Sequence, residues 1–280
     1  MNLSEIRRRY AESLCATVGV TAGALMDAFA RVPRERFLDA GPWRVAQPLN
    51  PADPYQMTPD ARPEQIYADV AIAVDPERKL NNGQPSTHAR WIAAVEPRVG
   101  ETMLQVGCGT GYYSAILAEL VGSSGRVDAI EVDPDLARRA TGCLAPWPQV
   151  RVEVGDGAEP AGSYDVIYVN AGATHARKGW LSALAPSGRM LLPLTIHVPM
   201  FPHVVGFVVC LERQGARWPA RVVSPVGIYD CVGARDNETE AQLRRILSEG
   251  AAGRVRAVSV EPHARADGCL VHRNGFCLRS

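Results

Sequence analysis

Lysine is nearly absent from this chain of 280 residues, in which Lys79 and Lys178 are the only two. Arginine supplies almost all of the positive charge, and 30 basic residues balance 30 acidic ones, so the formal net charge is zero. Proteins that bind duplex nucleic acid regardless of its sequence need a surplus of positive charge. We therefore expect no nucleic-acid partner.

Long apolar runs are also missing. The longest, Val204 to Leu211, is far shorter than the about 20 residues that a membrane-spanning helix requires. The N-terminal arginines, Arg7 to Arg9, are not followed by the apolar segment of a secretory signal peptide. We therefore expect no membrane association and a cytoplasmic location.

The seven cysteines form no Cys-x-x-Cys pair, and their number is odd. This spacing fits neither a zinc-binding motif nor a disulfide framework. Five histidines are scattered without metal-ligand spacing: His175, His197, His203, His263 and His272. We therefore expect reduced thiols and no metal site.

What the chain does have is 46% hydrophobic residues, enough for a sizeable core. From residue 102 onward, short apolar runs alternate with helical stretches, a pattern that predicts βαβ units and a parallel sheet. Val204–Arg213 and Val222–Cys231 are predicted to pair as an antiparallel hairpin at the sheet edge. The expected fold class is α/β, with a Rossmann-like, doubly wound, mostly parallel sheet, N-terminal helices and a C-terminal extension.

Outside the sheet region the pattern is less regular. Toward the N-terminus we predict a helix over Leu3–Val18, a second helix capped by Thr21, an irregular, partly ordered linker over residues 38–64, a strand over Ile66–Val74 and a helix over Thr87–Val95. Toward the C-terminus we predict a helix from Asn237 through Leu247 and a final strand pair formed by Arg254–Val260 and Cys269–Leu278.

A glycine-rich turn joins one predicted strand to the next predicted helix. It reads Gly107-Cys108-Gly109-Thr110-Gly111, and glycines there let the backbone turn tightly and approach a ligand. The helix N-terminus beyond the turn favours negative charge. Position 112 is tyrosine, where the dinucleotide fingerprint would have a small residue.

Two acidic residues accompany this turn. Glu131 ends the next apolar run, 24 residues after Gly107, at a distance where an acid reaches ribose hydroxyls. Asp156, followed by Gly157, comes after the third run, and its carboxylate can accept a hydrogen bond from an amine such as adenine N6. Because open α/β sheets bind ligands at the carboxyl ends of their strands, these residues predict a nucleoside-containing ligand.

Together these motifs resemble class I S-adenosylmethionine-dependent methyltransferases. The flanking segments resemble, in order, parts of the protein-L-isoaspartate O-methyltransferase family, and the similarity extends from about Val20 to Cys231. The segments are Val32-Pro-Arg-Glu-Arg-Phe37, Gly83-Gln-Pro-Ser-Thr-His88-Ala, Val154-Gly-Asp-Gly157 and Gly188-Arg-Met-Leu-Leu-Pro193. The resemblance implies S-adenosyl-L-methionine as cofactor, S-adenosyl-L-homocysteine as product and an isoaspartyl or aspartyl carboxylate of a protein or peptide as acceptor.

The resemblance also implies roles for individual residues. It assigns Gly107, Gly109 and Gly111, with Cys108 between them, to the methionine and ribose side of the cofactor. It assigns Glu131 to the ribose, and Asp156 with Gly157 to the adenine. His88 falls where the family has a polar residue near the amino-acid end of the cofactor.

On the acceptor side, Asn170 ends the fourth apolar run, a position that faces the transferred methyl group in this fold class. Donors such as Asn170, Ser86 or Gln84 are expected to orient an acceptor carboxylate. An ionised carboxylate needs no general base, whereas an alcohol or phenol would need one, and His88 or His175 would then be the candidates. Ala171-Gly-Ala173 replaces the Pro-Pro-aromatic tract of adenine-N6 methyltransferases and argues against base-flipping chemistry.

One position departs from the family. Gly83 stands where family members usually carry a serine close to the acceptor carboxylate, and Ser86 and Thr87 lie within one turn of it. If the acceptor is isoaspartyl, restoring the serine by Gly83→Ser is expected to raise activity.

We expect three regions: 1–86 as a helical and substrate-loop region, 87–235 as the cofactor-binding methyltransferase domain, and 236–280 as a helix and strand extension. Two alternatives remain open. The first is a pathway enzyme that methylates a modified peptide or a small natural product. The second is a cofactor-binding module without catalytic activity.

Overall fold

The computed structural model describes residues 2–20, 23–47, 55–199, 201 and 203–280. The helices are α1 (Leu3–Val18), α2 (Ala24–Arg31), α3 (Pro85–Val95), α4 (Tyr112–Val121), α5 (Pro134–Cys143), α6 (Lys178–Ala183) and α7 (Asn237–Ser248). The strands are β1 (Arg44–Ala46), β2 (Tyr55–Met57), β3 (Ala73–Asp75), β4 (Leu80–Asn81), β5 (Thr102–Val106), β6 (Arg126–Glu131), β7 (Val150–Val154), β8 (Tyr164–Val169), β9 (Leu184–Ile196), β10 (Val204–Glu212), β11 (Ala220–Ile228), β12 (Ala257–Ser259), β13 (Cys269–Arg273) and β14 (Phe276–Arg279).

Seven strands form one mixed sheet in the order β11-β10-β9-β8-β5-β6-β7. Strands β5, β8 and β9 run parallel, whereas β10 is antiparallel to both β9 and β11. Helix α4 connects β5 to β6 and helix α5 connects β6 to β7, the crossover connection that parallel strands need. The predicted doubly wound sheet with an antiparallel edge hairpin is therefore confirmed.

The central strands are apolar on both faces, which is why they read as continuous hydrophobic runs. Met103–Val106 of β5 and Val166–Val169 of β8 are buried at every position, whereas edge strand β7 is largely exposed. Strands that are apolar on both faces must be covered on both sides, which is possible only in the middle of the sheet.

Two compact units make up the chain. The first, here called the N-terminal unit, comprises Met1–Gly100, Cys108–Arg126 and Asp133–Val152. The second, here called the sheet unit, comprises Glu101–Gly107, Val127–Val132 and Glu153–Ser280.

The core of the sheet unit combines strand residues with residues of the C-terminal region. Leu192 and Phe207 of the sheet belong to the same hydrophobic cluster as Leu243 of α7 and Phe276 and Leu278 of β14. Residues 236–280 therefore share their core with the sheet.

In the N-terminal unit, α1 spans the predicted residues Leu3–Val18, begins with a capping box between Asn2 and Glu5 and ends at the left-handed Gly19. Helix α2 has Gly23 as its N-cap and no side-chain cap. The predicted cap, Thr21, lies outside the described residues.

One local prediction is wrong. Residues 66–74 do not form one strand, because Ile66 ends a single-turn 3-10 helix (Pro63–Ile66) and the strand β3 begins only at Ala73. A proline at the first position of that turn favours a helical start. Within the predicted linker 38–64, residues 44–46 and 55–57 pair as β1 and β2, while residues 48–54 lie outside the described residues.

Predictions for the C-terminal region also need correction. Helix α7 is capped by Asp236, not by Asn237, because the Asp236 carboxylate accepts from the backbone N–H of Thr239. Cys269–Leu278 is a hairpin of two strands, since Asn274-Gly275 forms a tight turn between β13 and β14. With β12 they form a three-stranded sheet. None of the described helices is both long and apolar enough to cross a membrane.

Candidate active site

The glycine-rich turn follows β5 and leads into α4. Gly107, Gly109 and Gly111 have φ of +81°, +57° and +93°, values that L side chains rarely adopt. A Cβ on Gly111 would lie 2.7 Å from the Leu144 side chain, whereas one on Gly109 would meet nothing within 4 Å. Gly111 is the N-cap of α4 and offers no side-chain cap. The turn is thus a bend that strongly favours glycine, with open space at its middle residue.

In the sheet unit, Asn170 is tied to the start of this turn. Its backbone N–H donates to Val106 O over 2.8 Å, and its side-chain Nδ2 donates to Gly107 O over 3.0 Å. Gly107 in turn donates its N–H to Ile130 O over 2.8 Å. These bonds bring together the predicted residues Gly107 and Asn170, which follow the neighbouring strands β5 and β8.

Glu131 ends β6 and is buried, with 7% of its surface exposed. Its carbonyl accepts from the N–H of Gly155, which follows β7. Gly107, Glu131, Asp156 and Asn170 therefore lie at the carboxyl ends of four strands that are adjacent in the sheet order, which is where open α/β sheets bind ligands.

Asp156 is held by two donors. Its Oδ1 accepts from Ala158 N over 2.9 Å, and its Oδ2 pairs with Arg177 Nη1 at 3.1 Å. The backbone hydrogen bond from Ala158, with help from Arg177, holds the pKa of this carboxyl below its usual range. Asp156 is therefore ionised at neutral pH and in a fixed orientation.

Gly157 is required for packing. Its φ is +62°, and a Cβ there would lie 3.3 Å from both methyl groups of Val106. Its carbonyl accepts from the buried Trp180 Nε1 over 2.7 Å. Trp180 is thus a packing residue that holds the Asp156–Gly157 turn.

In the N-terminal unit, the start of α3 is organised by Asp69. Its Oδ1 accepts from the backbone N–H of Ser86 over 2.8 Å, and its Oδ2 accepts from Gln84 Nε2 over 2.9 Å. A carboxylate is stabilised at this place because the first N–H groups of a helix carry partial positive charge. The predicted acceptor-side residues Gln84 and Ser86 are therefore brought together, with the Gln84 amide engaged by Asp69.

His88 lies against Gly83 and Tyr113. The imidazole stacks on the Tyr113 ring with 3.5 Å between ring centroids, and the Tyr113 hydroxyl donates to Gly83 O over 3.3 Å. Burial, with a smaller effect of the Arg34 charge, lowers the pKa of His88 to about 3. His88 is therefore a neutral imidazole at neutral pH.

Gly83 and His88 share one space. A Cβ on Gly83, whose φ is +74°, would lie 2.5 Å from His88 Nε2. The imidazole thus occupies the position from which a side chain at residue 83 would project. The expectation that Gly83→Ser raises activity conflicts with this geometry, because the serine would need both a strained backbone and a displaced ring.

Arg34 anchors the loop that carries Asp69. Its side chain is completely buried, and its Nη1 donates to Ile66 O over 2.6 Å and to Ala68 O over 2.9 Å, while Nη2 donates to Val70 O. One guanidinium therefore bonds three carbonyls of residues 66–70 and holds this segment in an irregular path.

Comparison with known proteins identifies the family that this chain matches. The model of the protein-L-isoaspartate(D-aspartate) O-methyltransferase family matches residues 12–200. The chain belongs to this family.

Individual proteins of this family are also similar to the chain, in sequence or in structure. Protein-L-isoaspartate O-methyltransferase 2 of Archaeoglobus fulgidus is 31% identical over 199 residues, which are 69% of this chain and 80% of the relative. A solved protein-L-isoaspartate O-methyltransferase matches with a TM-score of 0.65 at 22% identity, covering 86% of this chain and 70% of that one. A Plasmodium falciparum chain solved in complex with S-adenosyl-L-homocysteine matches with a TM-score of 0.58 at 14% identity, over 80% and 97% of the two chains.

Three residues that organise this family site were not singled out from the sequence. Arg34 lies within the segment Val32–Phe37 that carried the resemblance, so the motif did signal it. Asp69 lies within the segment predicted as a strand over Ile66–Val74, and Arg177 is the N-cap residue of α6. Both act through contacts distant in sequence, which no local pattern marks.

The Arg34 contacts predict a large effect of a conservative change. Arg34→Lys keeps the positive charge but loses the planar fork, so it leaves carbonyls of residues 66–70 unsatisfied. We expect the free energy of unfolding to fall by about 2–3 kcal/mol. Urea denaturation measures it, with Arg9→Lys, at an exposed position of α1, as the control that should change little. Equal effects of the two variants would contradict the anchoring role.

The shared space of Gly83 and His88 predicts coupled substitutions. Gly83→Ser should destabilise the protein by about 1–3 kcal/mol through steric overlap and backbone strain. His88→Ala should relieve the overlap, so that the double variant loses less than the sum of the two single losses. Gly19→Ser is the matched control, since Gly19 has φ +71° and nothing within 4 Å of its Cβ position. Additive losses in a double-mutant cycle would show that the two positions do not share this space.

Proposed function

We propose that this protein is an S-adenosylmethionine-dependent O-methyltransferase that methylates the isoaspartyl carboxylate of a protein or peptide. The observation that supports it best is the placement of Gly107, Glu131, Asp156 and Asn170 at four adjacent strand ends in a chain of this family. An S-adenosylmethionine cofactor and a peptide acceptor are what that family's chemistry requires.

The residues present fit such a cofactor. Gly109 leaves open the space that a Cβ would fill, and the turn leads to the uncapped N-terminus of α4. We assign Gly107, Cys108, Gly109 and Gly111 to the methionine and ribose side, as expected from the sequence. When bound, the cofactor supplies a methyl group on a sulfonium, which is already activated for transfer.

Glu131, Asp156, Gly157 and His88 complete the proposed cofactor-binding set. Glu131 offers carboxylate oxygens to ribose hydroxyls, and Asp156 offers a fixed acceptor to the adenine amine. His88, as a neutral imidazole, presents a polar group without adding charge near the amino-acid end.

The acceptor side depends on donors that orient a carboxylate. An amide nitrogen carries two N–H groups, and Asn170 gives one of them to Gly107 O, so the other is left for the acceptor. Ser86 binds Asp69 through its backbone N–H, and its hydroxyl takes no part in that bond. Because the Gln84 amide is held by Asp69, we give Asn170 and Ser86 the larger share of positioning.

The titratable groups support a carboxylate acceptor. An alcohol or phenol would need a general base with a pKa near neutrality. Burial lowers the pKa of His88 to about 3 and that of His175 to about 4, so neither is a strong base. A carboxylate is ionised already and needs none.

A second candidate function is the methylation of a modified peptide or a small natural product. One observation favours it: the His88 ring fills the place of the serine that family members usually carry near the acceptor. The acceptor side of this chain therefore differs from the family pattern, while the cofactor side follows it.

The role of Asp156 predicts a specific loss of cofactor affinity. Asp156→Ala removes a charged acceptor and should weaken S-adenosylmethionine binding by about 1–3 kcal/mol, or about 5- to 150-fold in Kd. Calorimetric titration measures it, with Asp135→Ala, a well-exposed acid of α5, as the control. An unchanged Kd for Asp156→Ala would remove the adenine assignment.

The proposed function predicts discrimination between two isomeric peptides. The purified chain should form S-adenosyl-L-homocysteine with an isoaspartyl peptide, and far less with the same peptide containing aspartate. Mass spectrometry of the peptide checks that one methyl ester forms. Turnover only with small free acids or modified peptides would favour the second function. Cofactor binding without turnover on any acceptor would point to a catalytically silent module.

A further inference from the structure

Four potential metal ligands meet in the C-terminal region of the sheet unit. The ligand atoms of His263, Cys269, His272 and Cys277 all lie within 4.8 Å of one another. Neither cysteine is in a disulfide. None of these residues belongs to the candidate active site.

The β13–β14 hairpin explains how three of them come together. His272 and Cys277 are directly opposite each other, so their side chains point to the same face. In a regular strand Cys269, three residues before His272, would point to the other face. A β-bulge between Cys269 and Val271 shifts the register and sets Cys269 opposite Arg279, two residues from Cys277 and on its face.

The fourth residue, His263, comes from the loop between β12 and β13. Its Nε2 lies 3.7 Å from Cys269 Sγ, and its ring centroid lies 4.9 Å from that of His272. Its Nδ1 lies 2.9 Å from Glu261 O, and because a carbonyl only accepts, Nδ1 carries the proton and Nε2 the lone pair. Metal-binding histidines are commonly oriented by such a bond.

His272 adds an independent observation. Its Nδ1 is buried and has no hydrogen-bond partner among the described residues. A buried polar atom without a partner is costly, and it calls for a ligand. The strand itself is fixed, since Gln242 of α7 bonds both the N–H and the carbonyl of His272.

We propose that these four residues bind a structural zinc ion. Two thiolates and two imidazoles are a common ligand set for tetrahedral zinc. With bonds of about 2.0–2.3 Å, the corners of such a tetrahedron lie about 3.3–3.8 Å apart, so the observed cluster needs only a small contraction. Four protein ligands leave no open position, and the ion therefore serves stability, not catalysis.

Zinc would cross-link a region of short strands and an exposed loop. Strands β12, β13 and β14 have only three, five and four residues, and residues 264–268 of the loop are all exposed. The hairpin packs into the core through Phe276 and Leu278, so the exposed loop is the part that a metal would fix in place. The proposed ion connects the loop, through His263, to both strands of the hairpin.

The test begins with the metal content of the full chain, purified without a polyhistidine tag. Elemental analysis should find about one zinc per chain. Cys269→Ser and His263→Asn should each reduce bound zinc at least tenfold. Cys143→Ser, which changes another half-buried thiol, is the matched control and should keep the metal.

A second measurement does not depend on variants that fold. Exchange of the wild-type chain with cobalt should produce the intense visible bands of a tetrahedral ion and a thiolate-to-cobalt charge-transfer absorption. A chain that holds no zinc and gives no cobalt spectrum would overturn the proposal. So would a Cys269–Cys277 disulfide found by mass spectrometry in freshly purified protein, or zinc retained at full occupancy by both ligand variants.

Discussion

The geometry of the N-terminal unit depends on one buried charge. Arg34 has no exposed surface, and a buried guanidinium is tolerated only where acceptors surround it. The carbonyls of Ile66, Ala68 and Val70 provide those acceptors, and residues 66–70 take the irregular path that lets all three point inward. That path presents Asp69 to the first turn of α3. The positions of Ser86 and Gln84 therefore depend on the hydrogen bonds of Arg34, which lies far earlier in the chain.

In the sheet unit, the loops at the strand ends are held in place by backbone hydrogen bonds instead of by a buried charge. The loops that follow β5, β7 and β8 each bond to a neighbouring strand, Gly107 to Ile130, Gly155 to Glu131 and Asn170 to Val106. Because strands buried on both faces cannot move independently, these bonds transfer the rigidity of the sheet to the loops. A polar group at such a loop is oriented before any ligand arrives, which lowers the entropic cost of binding.

Features that depend on interactions local in sequence could be predicted, whereas features that depend on contacts distant in sequence could not. The sheet, its edge hairpin and α1 were predictable because apolar periodicity is a local signal. The glycine turn was predictable because its backbone strongly favours glycine. Arg177, which orients Asp156, was not, since it acts across a turn that no periodicity marks. The four-residue cluster was missed for a related reason: regular strand geometry separates Cys269 from His272, and only the bulge reunites them.

The pair Gly83–His88 shows why a single departure from a family pattern is hard to interpret alone. In isolation, glycine in place of serine suggests a lost hydroxyl that one substitution could restore. In the structure, the space beside residue 83 contains the His88 ring, which is fixed by its stack on Tyr113. A side chain at 83 and this position of the ring exclude each other, so the two residues form one unit. Its imidazole is neutral, because burial lowers its pKa to about 3, and it therefore adds no positive charge beside Gly83. Gly83 and His88 are thus better described as one packed unit than as a place from which a serine has been lost.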